Sequence, residues 1–354
     1  MPGSSGARGG RGAALVVAGV ILLAGCGGGA RPSAAERTPT ATVSPTSTPA
    51  TFEPATTFAL HRYRTSMPNS WRKPVVLPYG RSERRLGTSL GGDGTGVRWG
   101  PGYGAVAPDG TWWILDSAKF RFAHYGASGR YLGAVGIPAT YLVGGRYVQW
   151  QYPVALDDGT IVTYRMTGTG GALLLLHHRG LREVALNRQV VIKADDGRRL
   201  YGLGPAGELL AVDVTIGKTT VVPAFRSRAG ARYRLARVGA TLRLSLPDLD
   251  VRHRWPLIAA ETGSPAAGAI SLVSTADGHL DIFIDGAADN DETTGRSGFG
   301  IVDRDGNLRA TEPTRDPWSP SDDGTGSRLV ARPGSDEVWF VAIDDDALRL
   351  YQRR

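Results

Sequence analysis

A single hairpin pattern recurs along most of this 354-residue chain, and its period limits the possible folds more than any other feature. The clearest copy is Gly104-Ala-Val-Ala-Pro-Asp-Gly-Thr-Trp-Trp-Ile-Leu-Asp116, followed by Phe120–Tyr125, a turn at Ser128-Gly129 and a closing run Arg130–Val135. A second copy begins Pro153-Val-Ala-Leu-Asp-Asp-Gly-Thr-Ile-Val-Thr-Tyr164, its turn glycine 49 residues after the first. A third is read at Leu200–Phe225 with Ala206-Gly207 at the turn, 48 residues further on. Degenerate copies follow at Tyr233–Leu257 and Ile270–Arg309, and the last spans Arg328–Gln352, where Ser335-Asp336 stands in for Asp-Gly. Apolar and polar residues alternate within these short runs, and Asp-Gly pairs at 109–110, 158–159, 277–278 and 305–306 read as two-residue hairpin turns. No amphipathic helical period of ordinary length intervenes, so the chain reads as all-β. Repeats of about 40 to 50 residues carrying four strands each mark β-propeller blades, which bury their faces only by stacking around a ring. About six four-stranded blades fill residues 70–354, with five or seven as neighbouring counts because Leu235–Ala269 is weakly punctuated. The segment Pro74–Tyr79 is placed to lend a strand to the last blade and close that ring.

Residues 104–135 resemble an NHL-type repeat: an inner strand ending in an Asp-Gly turn, a hydrophobic second strand ending in Asp116, and a third strand opening on an aromatic and Arg pair. The other copies share only its hairpin core. The same architecture resembles the six-bladed gluconolactonase-like lactonases, which hold a divalent cation in the central channel with a Glu, an Asn and an Asp. The residues here lend that activity little support. Asn occurs only at 69, 187, 290 and 307, none at an evident channel position, and Glu83 lies in the basic turn Arg81-Ser-Glu-Arg-Arg85.

The N-terminus has a separate character. Met1–Gly12 carries Arg8 and Arg11 without an acidic residue, and Ala13–Leu23 is almost wholly aliphatic, the layout of an export signal. The apolar run falls short of the ~20 residues that a membrane-spanning helix needs. It ends in Leu23-Ala24-Gly25-Cys26, and Cys26 is the only cysteine in the chain. This resembles a bacterial lipoprotein precursor, which implies cleavage after residue 25 and acylation of Cys26 on the outer face of the cytoplasmic membrane. Two acyl chains suffice for stable anchoring, and a single cysteine leaves no disulfide to hold an exported domain. From 26 to 60 the chain is a tether; twelve of the thirteen residues from Thr38 to Ala50 are Thr, Pro, Ser or Ala, a composition that cannot offset its own conformational entropy. Thr/Pro richness suits either O-glycosylation or an unmodified spacer.

The formal charge is +8, of which Arg8 and Arg11 leave with the signal. Eight Arg between Arg226 and Arg254 face only Asp248 and Asp250, a balance that suits anionic headgroups or wall polymers, or simply a solvated face. Nucleic acid is not an expected partner of an exported lipoprotein. Trp99, Tyr103, Trp150 and Tyr152 stand just before inner strands, where loops open onto one mouth of a propeller channel, and are the expected ligand-contacting rim. Asp285–Glu292 gathers carboxylates, and Asp289 and Asp291 are the expected ligands of a structural calcium ion, although the glycine falls one place late for an EF-type loop. Adjacent His177 and His178 point to opposite faces of a strand and cannot chelate one metal. Gly168-Thr-Gly-Gly171 lacks the Lys-Ser/Thr of a phosphate loop and reads as a hairpin turn. The leading expectation is a non-enzymatic binding or scaffold module for an envelope protein, peptide or glycan, without a cofactor. The alternative is a metal-dependent lactonase-like hydrolase.

Overall fold

The structure is a computed structural model that describes residues 61–62, 67–87, 89–90, 98–99, 101, 103–138, 151–167, 170–178, 180–238, 241–246, 254–258, 270–286, 296–303, 305–312, 329–344 and 346–354. Cys26 and the tether lie outside the described residues, as do Trp150, Asp289 and Asp291. The described residues form six four-stranded antiparallel blades of a β-propeller, with one 3-10 turn, Ser117–Lys119. None of their helices is long and apolar enough to cross a membrane.

Named from the innermost strand outward, blade 1 is Tyr103–Val106, Trp112–Asp116, Arg121–Tyr125 and Tyr131–Gly136. Blade 2 is Gln151–Ala155, Ile161–Thr167, Gly170–His177 and Gly180–Leu186. Blade 3 is Val191–Asp195, Leu200–Leu203, Leu209–Val212 and Thr219–Val221. Blade 4 is Phe225–Arg226, Arg232–Val238, Thr241–Ser245 and Arg254–Ile258. Blade 5 is Ile270–Ser274, Leu280–Gly286, Arg296–Val302 and Leu308–Glu312, with His61–Arg62 also paired to its third strand. Blade 6 is Leu329–Ala331, Val338–Ile343 and Ala347–Gln352, completed by Val75–Pro78.

That last strand closes the ring as expected. Val75 pairs with Leu350, Leu77 with Leu348 and Pro78 with Ala347. The join is lengthened by a bridge between Trp71 and Arg353 and by hydrogen bonds from Arg72 N–H to Gln352 O and from Arg354 N–H to Ser70 O. Proline at the end of an edge strand removes no ladder bond from the sheet interior.

The hydrophobic core lies between blades, not within any one of them. Separate buried clusters fill the interfaces of blades 1 and 2, 2 and 3, 3 to 5, 5 and 6, and 6 and 1. At the closing interface Leu77, Val106, Ile114 and Leu348 are buried around a T-shaped Trp112–Trp339 pair with ring centroids 5.2 Å apart.

The Asp-Gly pairs do turn hairpins, but in three-residue loops. Ala107 N–H donates to Thr111 O, and Gly110 N–H donates to Ala107 O, a type I turn followed by a left-handed glycine at φ +82°. The same bonding recurs at Leu156–Thr160, Thr275–His279 and Asp303–Asn307. In the first three the aspartate before the glycine accepts bonds beyond it, as where Asp109 Oδ1 takes Thr111 N–H at 2.9 Å and Thr111 Oγ1–H at 2.7 Å; in the fourth Asp303 Oδ1 takes Asn307 N–H instead. Two-residue I′ turns are favoured by strand twist, and the longer loop reaches the same match through its glycine bulge.

The repeat register needs one correction. Ala206-Gly207 turns the middle hairpin of blade 3, and the inner turn lies at Asp195–Arg199 with Gly197 at φ +84°. Blade 4 accordingly begins at Phe225, ahead of the expected Tyr233. Thr167 pairs with Gly170 on the neighbouring strand, and Gly168 and Thr169 of the expected hairpin turn lie outside the described residues.

Leu77→Ala is expected to lower unfolding stability by about 2–5 kcal/mol, read from urea denaturation followed by tryptophan fluorescence. An equal truncation at half-buried Val75 should cost less.

Candidate functional site

Inner strands of the ring line a central cavity. Its wall is formed by Pro153–Ala155 of blade 2, Ile192–Asp195 of blade 3, Leu272 and Val273 of blade 5 and Leu329–Ala331 of blade 6. Blade 4 supplies only Arg228, because its inner strand is two residues long and the inner strands of blades 3 and 5 come into contact across it. The wall is apolar apart from Lys193, Asp195 and Arg228.

One end of the cavity lies at the inner turns, which are bonded to one another. Asp157 N–H donates to Gly197 O at 2.8 Å, Ala276 N–H to Ser335 O at 3.1 Å, and Arg332 Nε–H to Pro108 O at 3.0 Å. Arg228, in the turn Ser227–Ala231, draws four blades together. Its guanidinium meets Asp157 Oδ1 at 2.7 Å, Asp195 Oδ1 at 2.5 Å and Ala155 O at 2.8 Å, while its backbone N–H donates to Ser274 Oγ at 2.8 Å. The Arg228 side chain is 6% exposed and that of Asp195 10%. Burial pushes the Asp195 carboxyl above its ordinary range, opposed by the Arg228 charge and by hydrogen bonds from Gly197 N–H and the guanidinium. A Cβ on Gly197 would stand 2.3 Å from the Asp157 carboxylate, so glycine admits Asp157 to this cluster as well as turning the hairpin.

Lys193 has the opposite fate. It sits midway along the inner strand of blade 3, half-buried, and no hydrogen bond or ion pair reaches its ammonium among the described residues. Burial without a compensating charge pushes its pKa down to about 8.

At the other end the chain enters the inner strands. Tyr103 and Tyr152 stand in the opening residues of the inner strands of blades 1 and 2, and Trp99 in the short pair Arg98–Trp99 with Ser89–Leu90 that precedes blade 1. The Tyr103 side chain is half-buried, and Tyr103 is not among the residues that line the cavity. The remaining polar features serve structure. Asp116, fully buried, accepts from Arg121 Nε and Gly87 N–H, and Lys119 Nζ donates to the carbonyls of Gly80, Ser82 and Arg85, pinning the segment before blade 1. Glu83 is exposed in that segment. Asn187 Oδ1 accepts from Thr219 N–H and Oγ1–H, outside the channel. His177 Nδ1 lies 2.9 Å from Thr160 Oγ1, whereas His178 is exposed in the turn beyond. Among the described residues no three His, Cys, Asp or Glu side chains gather as metal ligands would.

Sequence reading did not single out Arg228 or Lys193. Arg228 belonged to a basic run expected on a surface, and Arg226, Arg232 and Arg234 are indeed exposed there. Its signal is the turn register: Arg228 occupies the position held by Pro108 and Asp157, and Ala229 replaces the turn aspartate. The overlooked pair Asp196-Gly197 would have placed Lys193 on an inner strand.

Arg228→Met is expected to cost about 3–5 kcal/mol of unfolding stability, since it leaves Asp195 buried without its counter-charge. The loss should shrink as pH falls. Deprived of the guanidinium, Asp195 titrates still higher in the folded state than in the unfolded chain, so the penalty is full above its folded pKa and fades toward the unfolded value. Denaturation of the variant and the wild type at pH 5 and pH 8 measures both effects.

The streptogramin B lyase structure is similar over 83% of this chain and 98% of that one, at 12% identity and a TM-score of 0.41. Regucalcin, a calcium-binding protein from Agrobacterium tumefaciens C58, is similar over 84% and 95%, at 16% identity and a TM-score of 0.39. A catalytically inactive virginiamycin B lyase from Staphylococcus aureus with quinupristin is similar over 83% and 99%, at 11% identity and a TM-score of 0.40. Likenesses this remote say nothing of the chemistry in this channel. No curated protein matches the sequence. The model of the domain of unknown function DUF7485 matches residues 69–353, the whole propeller from the segment before its closing strand to its last residue but one, and the chain belongs to that family.

Proposed function

We propose that this chain is a lipid-anchored, non-enzymatic binding module on the outer face of the bacterial cytoplasmic membrane, which takes an envelope protein, peptide or glycan at its propeller channel. Acylated Cys26 supplies the anchor, and residues 27–60 the spacer that lifts the propeller from the bilayer. The observation that carries the reading is the engagement of both carboxylates beside the channel, Asp157 and Asp195, by Arg228. A lactonase-like cation at that point would have to displace a guanidinium that is already bonded and buried. The apolar wall and the aromatic residues at the entrance suit binding, in which burial of apolar area supplies the affinity and a few polar groups fix orientation.

Metabolic labelling of cells with an alkynyl palmitate analogue should mark the wild-type chain and leave Cys26→Ala unmarked. Labelling of the variant, or release of wild type into the medium, would refute the anchor. The full chain in detergent, used as bait in envelope extracts, should retain a partner that Trp99→Ala/Tyr103→Ala retains less well; equal retention would remove the rim from the site.

A further inference from the structure

We infer that the channel of this propeller holds a single carboxylate carried on an apolar body, with the Lys193 ammonium as its counter-ion. This rests on the reading of the channel as a ligand site and names the chemistry it recognises. Three observations converge on it. Lys193 lines the cavity without a hydrogen-bond or ion-pair partner among the described residues, and a charge in an apolar wall is costly until it is paired. The guanidinium of Arg228 is engaged by both Asp157 and Asp195, which leaves the Lys193 ammonium as the cation of the wall without a bonded counter-ion among the described residues. Blades 2, 5 and 6 contribute no titratable group to the wall, which is aliphatic there and offers no side-chain hydroxyl or amide.

This combination selects among anions. A dianionic phosphate would meet only one uncommitted cation. A sugar acid would bring hydroxyl groups into a wall that cannot bond them, each at the cost of an unsatisfied buried polar group. A monocarboxylate with an aliphatic remainder satisfies both the charge and the surface. Its two sources are a free aliphatic acid and the C-terminus of a peptide ending in apolar residues.

Burial holds the free ammonium at about 8. A bound carboxylate favours the charged amine and raises that value, so protons and ligand bind together. Affinity is then independent of pH between the ligand carboxyl's own pKa of about 4–5 and about 8, and falls as pH rises beyond that, up to the raised pKa of the complex.

Isothermal titration of the full chain in detergent with hexanoate and with acetyl-Leu-Val tests the inference and separates the sources: the acid that binds identifies the ligand class. The matched neutral probes, hexanol and acetyl-Leu-Val amide, should bind about tenfold to a hundredfold more weakly, as should the carboxylate to Lys193→Met. Lys193→Arg should keep most of the affinity and lose the decline above pH 8. Circular dichroism and the unfolding midpoint show whether Lys193→Met is folded; if it is not, the comparison of acid with neutral probe on wild type still decides. Equal binding of acid and neutral probe, no binding of either acid, or an unchanged affinity in folded Lys193→Met would overturn the assignment. Capture of an envelope partner together with any of these results would leave the binding module standing and remove only its carboxylate site.

Discussion

The main-chain pairing of Val75–Pro78 with the last strand of the chain is the contact on which the architecture depends. Blades 1 and 6 meet across this join, so an open ring would leave their facing surfaces in water together with Leu77, Trp112 and Trp339. A chain with one cysteine can form no internal disulfide in place of that closure. Residues flanking the strand reinforce it, since Trp71, Arg72 and Ser70 all bond to the C-terminal segment 352–354. The two ends of the folded sequence are thus held by each other, and distant parts of the chain become one cooperative unit.

Closure also creates the channel, and there two cations meet opposite environments. Arg228 leaves a loop where an outward side chain would be easily solvated and enters the ring of inner turns, because Asp157 and Asp195 lie within reach and Gly197 leaves them room. Planar and multiply bonded, its guanidinium can serve blades 2 and 3 at once, which a lysine could not. Lys193 lies two residues before Asp195 on the same strand, yet that carboxylate is already spent on Arg228. An ammonium held half-buried in an apolar wall without a partner is disfavoured relative to one in water, and such groups gather where a ligand completes them. The proposed ligand supplies the bonded partner that the fold does not give Lys193.

Much of the fold was legible because strands announce themselves locally. Alternation and Asp-Gly punctuation placed the inner hairpins of blades 1, 2 and 5 and the main strands of blades 1, 5 and 6. Blade 3 was misread because its inner strand, Val191–Asp195, carries a lysine within an otherwise apolar run and turns at a shorter loop, so the conspicuous Gly207 of the next hairpin drew the register forward. Blade 4 was misread because two paired residues, Phe225 and Arg226, make an inner strand too short to show a period. Tyr103 and Tyr152 were legible as residues at the start of inner strands; Lys193 and Arg228 were not legible as channel residues, since a lone lysine and one arginine in a basic run look like surface.

From the sequence alone follow the all-β class, the repeat, the ring of about six blades and the strand that closes it, because each rests on spacing along the chain. Only the tertiary structure decided which charges face the channel and which of them are matched. That outcome depends on residues from blades 2, 3 and 4 meeting at one point, and on the desolvation of groups that any linear reading leaves in water.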